Sequence, residues 1–178
     1  LVDYSIDDRF LIVTYLRRQL PDRMVCYDAA THEVVHSSDV HTKDFDATIA
    51  HHPNGRLIAY ENSEAAIVFW DMVDRKELRR FRLGYSINDC CFNSTGSELA
   101  LVASDGKTLS FIDTETGAEN RRLQSRDPKA SPLISIAWSS DDKLVAACRL
   151  DASIEVWSVP QQRLCSIMQG HLSTITSV

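Results

Sequence analysis

The stretch AIVFWDMVDRKELRRFRLG, residues 66–84, changes character halfway. Its first part is a short apolar run, rich in β-branched and aromatic residues, that ends in Trp70-Asp71. Its second part is dense in charge. A related stretch, SIEVWSVPQQRLCSIMQG, residues 153–170, places Trp157 87 residues after Trp70. Runs of this length and composition, bounded by turn-forming residues, read as β-strands. A second copy at a distance makes the strand part of a repeating unit, and the repeat decides the fold.

Four segments share one order of parts. Each begins with an alternating apolar run that leads to an aromatic residue or a histidine. A polar turn follows, at Asp7-Asp8, Asn54-Gly55, Thr95-Gly96 and Asp141-Asp142. A second strand comes next (FLIVTY, LIAY, LALVA, LVAAC), then a second turn and a third strand (MVCYD, IVFWD, LSFID, IEVWS). The turn anchors Asp8, Gly55, Gly96 and Asp142 are 47, 41 and 46 residues apart. The third-strand anchors Tyr27, Trp70, Ile112 and Trp157 are 43, 42 and 45 apart. SDGK, residues 104–107, predicts a two-residue hairpin turn, because Asp-Gly readily takes positive φ. The charged RKELRRFR run takes the place of a fourth strand, so an exposed outer strand is expected there rather than a helix.

Phe69–Asp71 (FWD), Phe111–Asp113 (FID), Val156–Ser158 (VWS) and the Gly170-His171 pair carry a resemblance to the WD-repeat β-propeller family. HHPNGRLIA and WSSDDKLVA resemble the first-turn segment of the same repeat. The family's repeat is about 40–45 residues, one four-stranded blade each. The resemblance spans the chain and implies an all-β propeller of about four antiparallel blades, at approximately 1–44, 45–85, 86–132 and 133–174, with 175–178 opening another. The two ends fall at one point of the repeat, so these blades are expected to be part of a seven-bladed or larger array. The implied structural anchors are Tyr27, Asp28, Trp70, Asp71, Asp105, Asp113, Trp157 and His171. In such a blade the large third-strand ring seals neighbouring sheets, and the next residue turns the chain outward. The family's polar group of His, Ser or Thr, Asp and Trp is degenerate here. Thr42, Leu83 and Lys129 stand where its histidine belongs, and Asp105 and Asp151 lack a clear histidine partner. Apolar packing is therefore expected to dominate.

The chemistry classes narrow from there. A net charge of −6 argues against a general nucleic-acid binder. Five cysteines without a C-x-x-C pair read as reduced thiols in a cytoplasmic protein. No apolar stretch reaches the roughly 18 residues of a membrane span. No metal site or cofactor is expected. His32 and His36 share no helix face, and the adjacent His51 and His52 point to opposite sides of a strand. No nucleophile elbow, P-loop or dinucleotide fingerprint is present.

These features predict a non-catalytic scaffold that binds other proteins through its loops. The loop residues singled out for partner contact are Arg17, Arg18, Arg126 and Lys129. Further blades or a second chain are expected to close the ring. A second reading makes the chain the sensing or docking domain of a larger signalling enzyme, such as a bacterial serine/threonine protein kinase. A propeller hydrolase ranks last, because the inner-strand positions Asp3, Ile49, Cys90, Cys91 and Ala137 are mostly apolar.

Overall fold

A computed structural model describes residues 2–15, 21–40, 42–43, 46–125 and 129–170. These residues form strands and turns, with no helix among them. None of the described residues builds a helix long and apolar enough to cross a membrane. The chain divides into two compact units, Leu1–Ser86 and Ile87–Val178.

The first unit holds two four-stranded antiparallel meanders. One is β1 (Val2–Tyr4), β2 (Phe10–Tyr15), β3 (Asp22–Asp28) and β4 (Val34–Val40). A two-stranded hairpin follows, β5 (Thr42–Lys43) and β6 (Asp46–Ala47). The other meander is β7 (Ile49–His51), β8 (Leu57–Glu61), β9 (Ala66–Asp71) and β10 (Lys76–Arg82). The second unit repeats the plan with β11 (Ile87–Phe92), β12 (Glu98–Ala103), β13 (Thr108–Asp113) and β14 (Glu119–Gln124). Its second meander is β15 (Leu133–Trp138), β16 (Leu144–Arg149), β17 (Ile154–Ser158) and β18 (Arg163–Met168). The charged run at 76–82 is the outer strand β10, with mostly exposed side chains.

The four sheets share one register. A single row of paired residues crosses each of them: Tyr4–Leu11–Tyr27–Val34, His51–Ile58–Trp70–Glu77, Phe92–Leu99–Ile112–Glu119 and Trp138–Val145–Trp157–Leu164. Beside this row every outer strand carries a β-bulge. One extra residue is left over there: Val35, Leu78, Asn120 or Cys165. A bulge of this kind increases local twist.

Turn chemistry fixes the row. Asp8, Gly55, Gly96 and Asp142 all have φ between 56° and 73°, the left-handed conformation that Gly, Asn and Asp tolerate best. Each amide closes a turn onto a carbonyl three residues back, on Ser5, His52, Asn93 or Ser139, at 2.9–3.0 Å. SDGK departs from the two-residue expectation. Four residues connect Ala103 to Thr108, and only Gly106 takes positive φ. The reason is the Asp105 carboxylate, which accepts the amides of Lys107 and Thr108 at 2.8 and 2.9 Å and so holds a wider turn.

Each unit has its own core. In the first, Phe10, Ile12, Met24 and Cys26 pack with Ile58, Tyr60 and Val68. In the second, Leu109, Phe111, Leu133, Val145 and Trp157 form the centre. Removing a side chain of this size from water contributes about 1.5–3 kcal/mol. All five cysteines are free thiols, and Cys165 alone of them is exposed.

Candidate interaction surface

The residues after the third-strand anchors are turn caps. Asp28 Oδ1 accepts the amides of Ala30 and Thr31 at 3.0 and 2.9 Å. Asp71 Oδ1 accepts those of Val73 and Asp74 at 3.0 and 2.9 Å. Asp113 Oδ1 accepts those of Glu115 and Thr116 at 3.0 and 2.7 Å. Ser158 Oγ accepts the Gln161 amide at 3.3 Å. A short side-chain acceptor at this position satisfies amides that a reversing chain would leave unpaired. Asp71 does more. Burial pushes its carboxyl up, but the Arg56 guanidinium, donating through Nε at 2.7 Å, and the two turn amides outweigh that and hold it below the usual carboxylate value. Asp105 and Asp151 cap the second turns, the latter through Ser153.

The two anchor tryptophans differ: the indole N–H of Trp157 is hydrogen-bonded, and that of Trp70 is buried without a partner among the described residues. Trp157 Nε1 donates to Glu155 Oε2 at 3.0 Å, and Glu155 is ion-paired with Arg149, each side chain 2–3% exposed. Ser125 Oγ accepts from Arg149 at 2.7 Å, and Arg149 also donates to the Ser131 carbonyl. This network satisfies the Trp157 indole through a buried ion pair. It went unread in the sequence. Trp70 instead stacks on His36, with ring centroids 3.7 Å apart and planes 20° from parallel. His36 Nε2 lies 3.0 Å from the Tyr60 hydroxyl. Burial pushes His36 down to about 4 and so keeps it neutral at pH 7; Glu77 pulls weakly the other way.

The basic run on β10 is answered within the protein. Arg80 Nη2 meets Glu77 at 2.7 Å, Arg82 meets Glu64 at 3.0 Å, Lys76 meets Asp74 at 3.1 Å and Arg75 meets Glu33 at 4.0 Å. A strand so neutralised offers little field to a nucleic-acid backbone. No group of three or more His, Cys, Asp or Glu side chains suited to a metal occurs among the described residues.

In the second unit the first and third turns border a cleft of about 410 Å³, lined by Glu98, Asp113, Arg121, Trp138, Asp142 and Pro160 among others. Glu98 is held by Arg121, and Asp142 takes the Ser94 amide and hydroxyl at 2.8 and 2.7 Å. These carboxylates brace neighbouring turns. Of the loop residues singled out for contact, Lys129 lies in a turn and is exposed. Arg17, Arg18 and Arg126 lie outside the described residues, as does the anchor His171.

The model of the WD domain, G-beta repeat, matches residues 122–158. The chain is similar to the small ribosomal subunit protein RACK1y of rice, 24% identical over 62% of this chain and 34% of that protein. It is similar to the pre-mRNA-splicing factor cwf17 of Schizosaccharomyces pombe, 22% identical over 70% of this chain and 36% of that protein. Among solved structures, the Cps50 (Swd1) β-propeller domain of Myceliophteria thermophila superposes with a TM-score of 0.76 at 15% identity, over 99% of this chain and 57% of that one. The chain thus spans about a third of the length of these two relatives.

Proposed function

Because the chain is a run of WD-repeat β-propeller blades, we propose that it is a non-catalytic scaffold that binds other proteins through the turns at its blade ends. The observation that carries this reading is where the anchor polar groups are spent. The side chains of Asp28, Asp71, Asp113 and Ser158 cap their own turns, and Arg149, Glu155 and Trp157 satisfy one another. What remains for an outside partner is the exposed loop surface, where binding residues concentrate in rigid repeat folds. Arg17, Arg18, Arg126 and Lys129 are the proposed contacts.

The reading includes closure by further blades or by a second chain. Val2 and Tyr4 on β1 are 66% and 52% exposed, whereas every residue of the corresponding strands β11 and β15 is buried or half-buried. The relatives' greater length supports the same view.

The test is quantitative capture from the source organism with tagged full-length protein, comparing wild type with Arg17→Glu/Arg18→Glu and Lys129→Glu. Loss of a defined partner with an unchanged circular dichroism spectrum supports the scaffold reading. Turnover of a substrate by the purified chain, or partner binding indifferent to every loop variant, overturns it.

A further inference from the structure

One place in the repeat is filled differently in the two units. Three positions meet there: the first residue of the second strand, the bulge residue of the outer strand, and the residue after the third strand of the next sheet. In the first unit they are Phe10, Val35 and Met72, all buried in one apolar core. In the second unit they are Glu98, Asn120 and Val159, and they line the cleft of about 410 Å³. The repeat can therefore close this place with apolar side chains, and the second unit does not.

The polar replacement is neither fully satisfied nor balanced in charge. Asn120 and Arg121 are consecutive on β14, yet both reach Glu98, Asn120 through Nδ2 at 3.4 Å. Consecutive strand residues normally face opposite sides, and the bulge removes that alternation. Arg121 Nε is buried without a partner among the described residues, a cost that an apolar filling does not carry. The lining holds the carboxylates of Glu98, Asp113 and Asp142 against one guanidinium, Arg121, which is spent on Glu98. Asp142 is held by the Ser94 amide and hydroxyl, which are neutral donors. They fix the carboxylate and leave its charge in place. Beside it the half-buried Trp138 ring forms part of the wall. Among the described residues no set of side chains suited to a metal ion occurs, which leaves an organic cation as the complement.

We propose that this cleft is a socket for an arginine side chain of a partner protein, its guanidinium paired with Asp142 and laid against the Trp138 ring. Arginine fits better than lysine because its planar fork matches a carboxylate and stacks on an aromatic face. A carboxylate already fixed by its turn loses little freedom when the cation arrives. The cleft is bordered by blade-end turns, where the scaffold reading places partners. The socket rests on that reading and names one partner group for it.

The experiment is an NMR titration of the full chain with three blocked pentapeptides, Gly-Ser-X-Ser-Gly, in which X is arginine, lysine or glutamate. The arginine peptide is expected to shift the Trp138 indole N–H and the Asn120 side-chain amide, and to bind about fivefold tighter than the lysine peptide. The glutamate peptide is expected not to bind. These readings on wild-type protein need no variant to fold. Asp142→Asn weakens the arginine peptide about tenfold. Val159→Met, which installs the residue of the first unit, fills the cleft and removes binding. The proposal is overturned if the arginine peptide leaves the Trp138 signal unmoved, if the glutamate peptide binds as well as it does, or if Val159→Met binds like wild type. It is equally overturned if free arginine binds and the blocked peptide does not, which makes the cleft a small-molecule site. If loop-dependent partner capture occurs while no peptide binds, the scaffold reading stands and the socket fails.

Discussion

His51 and Trp138 occupy the same place in their repeats and make the same kind of reach. Each is the last residue of an inner strand. His51 Nε2 lies 3.2 Å from Asp3 Oδ2, and Trp138 Nε1 donates to the Cys91 carbonyl at 3.3 Å. Asp3 and Cys91 are themselves equivalent, each one residue before the row that crosses the sheet. One tie between neighbouring inner strands is thus kept while its chemistry changes from a side-chain acceptor to a main-chain one. The Trp138 ring also meets Phe111 edge-on at 5.5 Å. Trp138→Phe keeps the ring and loses the bond, at a cost of about 1 kcal/mol. Trp138→Ala loses both, about 3–5 kcal/mol. Urea unfolding of the two variants separates the contributions.

The Arg149–Glu155 pair predicts strong non-additivity. Glu155→Gln leaves a buried guanidinium without its counter-charge, which costs about 3–5 kcal/mol. Arg149→Met costs a similar amount for the opposite reason. The double variant Arg149→Met/Glu155→Leu recovers most of the loss, because neither charge is left stranded. A double-mutant cycle by denaturant unfolding measures the coupling. A sum of independent losses would contradict the geometry.

His36 gives the first unit a pH dependence of definite sign. Its folded value of about 4 lies below its ordinary 6.5, so the unfolded chain takes up the proton first as pH falls. Stability from this site is intact above about pH 6.5 and declines as pH falls towards 4. His36→Phe keeps a ring against Trp70 and removes the titration. The gap in thermal midpoint between pH 7 and pH 4.5 is expected to narrow in that variant.

Two glycines with the same backbone demand should respond differently to alanine. Gly84 and Gly106 have φ of 79° and 66°. A β-carbon on Gly84 meets nothing, whereas one on Gly106 comes within 2.6 Å of Pro132 Cβ and 3.0 Å of its Cα. Gly84→Ala is expected to cost about 1 kcal/mol from backbone strain alone. Gly106→Ala adds a steric clash of about 1–3 kcal/mol. Thermal unfolding of both variants reads the difference.

Much of the blade pattern was legible because its signals are local. Tyr27, Trp70, Ile112 and Trp157 could be aligned by spacing, and they fall on one row. Asp8, Gly55, Gly96 and Asp142 could be picked as turn anchors because few residues accept positive φ. The bulges at Val35, Leu78, Asn120 and Cys165 were not legible, since an extra residue is defined only against the strand it fails to pair with. Nor was the buried pair. Arg149 and Glu155 flank a hairpin turn, and in sequence they look like ordinary turn charges. The same applies to β10, where the run reads as a basic patch until Glu64 and Glu33, which lie outside it, are placed beside it.

The common row has a consequence for how such a chain can change. Because every sheet keeps the same rungs, a segment between two rungs can lengthen without disturbing the ladder on either side. The longer connection between Tyr15 and Asp22 already does this, with Tyr15 and Arg23 still paired. A turn that leans on no neighbouring repeat, unlike those at Asp142 and Gly106, is therefore an interchangeable fitting on a fixed chassis. Such a turn, lifted from one repeat and set between the matching rungs of another, should be accepted, which makes this small array a candidate frame for grafted loops.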